Sequence, residues 1–241
     1  MSESLSARET VATMQRVIVL PGMHGTTELL VDFAAAAPDD IQVELAALPQ
    51  LELDYAALSA HFGRTLRLSR ESVLVAESFS GPLAIMLARD FKVAGLVLCN
   101  TFAKAPYPSV LRYSPLSLLA RIPPPATLVR YFVAGPDASD DLVRRIQRSV
   151  ASVPPGVLAS RARCALTVDV TSVLSECEMP ILYLRGTEDR LVRDRSVTEI
   201  LAGARSPITV ARIRGPHLIL TTSPHEVWKS ISEFLVHQIS R

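Results

Sequence analysis

Six short apolar runs, separated early in the chain by stretches of helical periodicity, constrain the fold more than any other feature. They read RVIVLPG (16–22), IQVELAALP (41–49), SVLVAES (72–78), VAGLVLCN (93–100), PILYLRG (180–186) and SPITVARIRG (206–215). Each is of strand length, is bounded by turn-forming residues and is rich in Val, Ile and Leu, so each suits a buried strand. TTELLVDFAAAA (26–37), DYAALSAHFGRTLRLS (54–69) and FSGPLAIMLARD (79–90) carry apolar residues near helical spacing and fill the gaps between the first four runs. Strands that alternate with helices form βαβ units, and such units build a parallel sheet.

The alternation breaks after the fourth run. Residues 101–177 are several times longer than an ordinary connection. They are proline-rich in KAPYPSVLRYSPLS and ARIPPPATL, then helical in SDDLVRRIQRSV and PPGVLASRARCAL. An insertion of this length between two parallel strands reads as a helical lid over one end of the sheet. The expected organisation is a core of residues 16–100 and 178–241, a lid of residues 101–177 and an N-terminal extension of residues 1–15. The closing stretch TSPHEVWKSISEFLVHQI starts with Ser-Pro and sets Val227, Ile231, Phe234 and Leu235 at helical spacing, as a helix packed on the sheet would.

Composition narrows the function classes. With 241 residues, 49% of them hydrophobic and 20% charged, the chain is globular, and no apolar run approaches a membrane span. The N-terminal stretch MSESLSARETVATMQR has no apolar core of a secretory signal, so a cytoplasmic location is expected. Cys99, Cys164 and Cys177 lack CxxC spacing and are read as buried thiols rather than as a disulfide framework or a metal site. A net charge of +1 gives no general reason to expect nucleic acid or an anionic membrane as partner. No metal and no organic cofactor is expected.

In open parallel sheets, ligands bind beyond the carboxyl ends of the strands, near the point where strand order reverses. Those ends read PGMHGT, ESFSGP, NTF, GTEDRLV and GPHLIL. They deliver one serine, one carboxylate pair and one histidine to the same rim. Ser78 sits where a buried strand turns abruptly into a helix, with small residues, Ala76 and Ser80, two places before and after it. A nucleophile elbow demands this pattern, because the departing helix crosses close to the strand. A serine hydroxyl needs a general base, for which His217 is placed, and an imidazole needs an orienting carboxylate, a role that suits Asp189. His24, near the first strand end, is the rival histidine, and Glu188 the rival acid.

With LPGMHGT, VAESFSGP, LRGTEDRLV and GPHLIL in these positions, the chain resembles the α/β-hydrolase superfamily, especially its small lidded carboxylesterase-like members. The resemblance runs over nearly the whole chain after Arg16. It implies a three-layer α/β fold with a mostly parallel sheet of about six strands in the order 2-1-3-4-5-6, because the family's first two strands are missing. It implies Ser78, Asp189 and His217 as catalytic residues, the spacing G-x-x-D-x-x-V favouring Asp189 over Glu188. The backbone N–H groups of Met23 and Phe79 then form the oxyanion hole, and His24, Leu191 and Leu218 line the substrate pocket. The elbow departs from the family pattern G-x-S-x-G, reading A-x-S-x-S.

The implied function is hydrolysis of carboxylic esters through an acyl-enzyme. Thioester cleavage or acyl transfer by the same triad is one alternative, a non-hydrolytic lyase another, and a non-catalytic ligand-binding protein a third. His61, His225 and His237 fall in helical patterns and are expected at the surface or in packing. Glu77 is expected to point away from the nucleophile, with no part in the chemistry. Arg144, Arg145 and Arg148, with Arg161 and Arg163 nearby, are expected to form a solvated helix face. The sharper possibility is that they attract an anionic acyl carrier.

Overall fold

The computed structural model describes residues 15–239, so the expected N-terminal extension lies, but for Gln15, outside the described residues. All six apolar runs are strands: β1 (Gln15–Leu20), β2 (Ile41–Leu45), β3 (Ser72–Glu77), β4 (Gly95–Cys99), β5 (Ile181–Gly186) and β6 (Ile208–Ile213). They form one parallel sheet in the order β2-β1-β3-β4-β5-β6. β3, β4 and β5 are buried throughout, whereas β2 and β6, at the edges, are partly open. That gradient is the reason the central runs are almost continuously apolar.

The helices follow in chain order. A short α1 (Val31–Ala35) replaces most of the long helix expected over residues 26–37, and α2 (Tyr55–Thr65) and α3 (Ser80–Phe91) come next. Between β4 and β5 lie α4 (Leu116–Leu119), α5 (Ala126–Val129), α6 (Asp140–Ala151), α7 (Pro155–Thr167) and α8 (Thr171–Ser175). Then come α9 (Asp194–Gly203), α10 (Ile219–Thr222) and α11 (Pro224–Phe234). Their starts are marked chemically: Asp54 accepts from the Ala57 N–H at 2.8 Å, Ser139 accepts from Leu142 N–H at 3.1 Å, and α7 and α11 begin on proline. Among the described residues, no helix is long and apolar enough to cross a membrane.

Alternate strand residues feed two cores, one on each face of the sheet. Ile18, Leu20, Leu74 and Tyr183 pack against α2, α3 and α8, through Leu58, Leu83 and Leu174 among others. Val17, Val19, Val75 and Leu182 pack against α1 and α11, where Phe33 stacks on Trp228 at 4.6 Å and the indole N–H donates to Phe33 O. The segment between β4 and β5 leaves and re-enters the sheet at one neck. There Ala105 N–H donates to Val168 O and Val170 N–H donates to Ala103 O, both at 2.8 Å. Cys99 and Cys177 are buried as expected, but Cys164 is half-buried, because α7 lies on the molecular surface along one side.

The chain passes from β1 outward to β2 and returns to β3 on the other side of β1. Leu20 pairs with Ala76 across that junction. The loop after β1 and the turn after β3 therefore stand side by side at the switch point, where a ligand site is expected.

Candidate active site

Ser78 occupies a left-handed turn with φ 54, a conformation that costs a non-glycine residue and persists only when its surroundings impose it. They do. Ser78 N–H donates to Cys99 O at 3.0 Å, while its own carbonyl accepts from Gly81 N–H at 3.1 Å and from the Thr101 hydroxyl. Ala76 and Ser80 are fully buried, and the Ser80 hydroxyl donates to Pro21 O, which fastens the start of α3 to the loop after β1. Tyr55 donates to Phe79 O at 2.9 Å and stacks on the Phe79 ring.

His217 follows β6, and its Nε2 lies 2.8 Å from Ser78 Oγ. Asn100, at φ 42 after β4, sets its height. The Asn100 side-chain amide donates to Pro216 O at 3.1 Å and to His217 O at 2.7 Å, and its oxygen accepts from Gly186 N–H at 2.8 Å. A side chain at Gly186 would place its Cβ 2.5 Å from Pro216 O, so only glycine lets β5 approach the histidine turn.

Asp189 is buried in the turn after β5, where Oδ1 accepts from Leu191 N–H at 2.8 Å and Val192 N–H at 3.1 Å. Its Oδ2 lies 3.1 Å from Nδ1 of His217 and 3.0 Å from Nη1 of Arg185. Both are ion-pair distances, although neither N–H points along the line to the oxygen. Arg185 is also held by Asp194 at 2.9 Å. Glu188 instead faces outward, 3.9 Å from Arg214.

The loop after β1 is a tight turn in which Gly25 N–H donates to Gly22 O at 2.9 Å, the same peptide that carries the N–H of Met23. Arg161, reaching in from α7, clamps this turn. Its Nη1 donates to Met23 O at 2.8 Å and His24 O at 3.1 Å, and its Nη2 donates to Pro49 O at 2.9 Å. Gly25, at φ 74, is the floor of that socket, since a Cβ there would stand 2.5 Å from Nη1. Arg161 was expected on a solvated helix face and is 1% exposed, because it points across the helix toward three backbone carbonyls. Burial pushes its guanidinium down to about 10. No hydrogen bond among the described residues takes the N–H of Met23 or of Phe79, so both donors of the expected oxyanion hole are free beside Ser78.

His24 is buried behind the same loop. Its Nδ1 accepts from Thr26 N–H at 3.2 Å and lies 3.2 Å from the Ser149 hydroxyl. Burial and the charge of Arg161 push it down to about 4, which leaves a neutral ring with its proton on Nε2. Glu77 is likewise fully buried, one residue before Ser78, and its Oε1 has no partner among the described residues. Burial pushes the Glu77 carboxyl up to about 7; His217 and the Leu220 N–H pull the other way, and Asp189 adds to the rise. Glu77 therefore lies within the electrostatic reach of His217 and Asp189.

Two apolar cavities meet at Ser78 and share Met23 and Leu191. The larger, about 260 Å³, reaches His217, Leu218, Val129 and Phe132. The smaller, about 170 Å³, reaches Phe79, Phe102, Ala165 and Val192. No charged side chain among the described residues lines either cavity. Arg145 pairs with Asp32 at 3.1 Å and Arg144 lies 3.9 Å from Asp141, while Arg148 is exposed; none of the three borders either cavity. His225 and His237 are exposed and His61 is partly so, all away from Ser78.

Sequence reasoning thus brought out Ser78, His217, Asp189 and the Met23 loop, and the structure brings them together. It missed Arg185, Asn100 and the buried role of Arg161. Arg185 carried a signal, a lone charge at the end of an apolar run, and a charge in that position has to find a partner.

The model of the alpha/beta hydrolase family matches residues 5–229. No curated protein matches the chain. Among solved structures, a bromoperoxidase from Bacillus anthracis superposes with a TM-score of 0.75 at 14% identity, over 93% of this chain and 92% of that one. An enol-lactonase from Burkholderia xenovorans LB400 gives 0.75 at 16% identity, over 92% and 91%. MenH from S. aureus gives 0.71 at 17% identity, over 94% and 95%. At these identities the likeness is one of fold.

Proposed function

Since the chain belongs to the alpha/beta hydrolase family, we propose that it is a serine hydrolase cleaving carboxylic esters. The observation that carries this reading is the 2.8 Å contact of His217 Nε2 with Ser78 Oγ, with Asp189 on the far side of the ring. Ser78 Oγ attacks the acyl carbon while Nε2 takes its proton. The carbonyl oxygen gains negative charge, and the N–H groups of Met23 and Phe79 stabilise it. Asp189 stabilises the imidazolium. Collapse of the tetrahedral adduct breaks the carbon–oxygen bond to the alcohol, which leaves with the proton from Nε2. Water, deprotonated by His217, then attacks the acyl-enzyme, and the carboxylic acid departs as the proton returns to Ser78.

A leaving group has to stand near the acid that protonates it, so the alcohol portion belongs in the cavity that His217 lines and the acyl portion in the one that Phe79 lines. Both are apolar, which favours a neutral ester with an apolar group on each side of the carbonyl. The helices between β4 and β5 close both chambers and act as the lid in this reading. An anionic acyl carrier is disfavoured, because the arginines of α6 border neither chamber.

The test is a panel of chromogenic esters graded in acyl and alcohol length, with labelling by a fluorophosphonate. Turnover and labelling are expected in the parent and absent in Ser78→Ala. Folded parent protein that is neither labelled nor active would instead support a ligand-binding protein on this fold.

A further inference from the structure

The overall charge of +1 conceals a segregated stretch. From residue 91 to residue 136 there is no Asp or Glu, while Lys92, Lys104, Arg112, Arg121 and Arg130 all fall there. The same stretch holds most of the large apolar side chains the protein leaves in water. Val110, Leu111, Tyr113, Leu118, Leu119, Ile122, Leu128 and Tyr131 are exposed, with Tyr113 at 73%, Val110 at 65% and Leu118 at 60%. A concentration of this kind on a folded surface marks a contact site.

The patch also has a position. The turn Ser109–Tyr113 and α4 both pack on α7. Leu119 and Ile122 border a cavity of about 290 Å³ that also touches Met23 and His24, and Leu128 borders the chamber that contains Ser78. Leu119, Ile122 and Leu128 thus join the exposed patch to the cavities beside Ser78. Cations stand among them: Arg112 lies over the Tyr113 ring at 4.7 Å and Arg190 over the Tyr131 ring at 4.4 Å. Among the described residues Arg112, Arg121 and Arg190 have no carboxylate at ion-pair distance, whereas Arg130 is matched by Asp140 and Lys104 by Asp169.

We infer that residues 110–131 dock on an anionic lipid surface, with the apolar side chains entering the acyl region and the guanidinium groups at the phosphate level. The charge pattern selects this occupant over a second copy of the chain. A two-fold contact of the patch with itself would set Arg112 and Arg121 against the same stretch of a second copy, which has no acid to offset them. Anionic headgroups offset them, and exposed tyrosines and arginines beside aliphatic side chains suit the zone between headgroup and acyl chain.

The surface stands independently of the ester reading, and the experiment keeps them apart. The full chain is sedimented with vesicles of phosphatidylcholine alone and with vesicles containing phosphatidylglycerol, at low and high salt. Binding to the anionic vesicles is expected, weakened by salt, with little on neutral ones. Leu118→Asp and Tyr113→Asp, which border neither chamber beside Ser78, should each lower that binding about tenfold or more, the effect of withdrawing one large apolar side chain. Both variants should hydrolyse a short water-soluble ester as the parent does. Absence of vesicle binding, or binding indifferent to both substitutions, overturns the inference. So does concentration-dependent dimerisation that Leu118→Asp abolishes, which would make the patch a self-contact. Vesicle binding without ester turnover would sink the ester reading alone.

Discussion

Replacing Arg161 by methionine isolates the clamp on the oxyanion loop. Methionine fills most of the guanidinium's place but donates nothing, so the carbonyls of Met23, His24 and Pro49 lose their partner together. Hydrogen bonds from a charged donor are worth about 1.5–3 kcal/mol each, and the cost of holding a guanidinium out of water, several kcal/mol, is recovered. The expected net loss of stability is about 2–4 kcal/mol. The N–H of Met23 belongs to the peptide closed by Gly25, so a loosened turn leaves that donor present but misaimed. Losing a whole oxyanion donor costs a factor of about 100–1000 in kcat, and a misaimed one should cost about tenfold or more, with KM little changed. Denaturant melts give the first quantity. Ester kinetics give the second, and so does affinity for a boronic acid that forms a tetrahedral adduct with serine. Arg161→Lys, which keeps the charge and can reach at least one carbonyl, should fall between the two. A methionine variant with parental stability, kcat and boronate affinity would refute the reasoning, because three buried carbonyls cannot lose a charged donor without consequence.

Asn100→Ala removes the bonds that join Gly186 to the histidine turn, and should lower kcat at least tenfold and stability by about 2–3 kcal/mol; unchanged kcat would show that His217 is held by other means. Ser78→Gly and Ser78→Ala should both abolish turnover, but at φ 54 glycine should melt as the more stable of the two by about 1 kcal/mol. Stability against pH should show two opposed linkages. Glu77 keeps its proton up to about 7 when folded against 4.5 unfolded, so stability falls as pH rises through that window. His24 has lost its proton above about 4 when folded against 6.5 unfolded, so stability rises with pH through its window. The two slopes, each about 1.4 kcal/mol per pH unit, nearly cancel where they overlap. Glu77→Gln should therefore leave a profile that climbs from pH 4.5 to 6.5 and His24→Gln one that declines, as urea melts would read; two flat profiles would contradict both assignments.

Much of the sheet was legible because burial on both faces forces a compositional signal. A run such as VLVAE reads as a central strand, whereas the strand order came with the resemblance to the family rather than from the runs themselves. Helices with a cap or a proline at the start were legible for a similar local reason, as with Asp54 and Pro155. The stretch 26–37 was not, because its alanines suit a helix while the turn at Gly25 and the return to β2 leave room only for a short one. Ser78, Asp189 and His217 were legible because each sits at a strand end, where position in the chain nearly fixes position in space.

The residues that escaped act at a distance in sequence on groups that cannot be recognised one by one. Arg161 looks like its neighbours Arg144, Arg145 and Arg148, and only the fold shows that it alone turns inward onto a backbone with acceptors to spare. Arg185 shows what such a residue can do. Asp189 Oδ2 lies almost equally far from Arg185 and from His217, so the guanidinium holds the same oxygen that faces the imidazole. In the proposed reaction, the carboxylate needed on the far side of His217 is already fixed in place before the proton leaves Ser78. Arg185 joins Asp189 to Asp194, and so brings both a positive charge and a positioning contact to the turn. Separating those effects needs Arg185→Lys and Arg185→Met together, since only the first retains a cation beside Asp189. If loss of charge is what matters, the lysine variant should stay near the parental kcat while the methionine variant falls; if the Nε contact to Asp194 is what matters, both should fall alike.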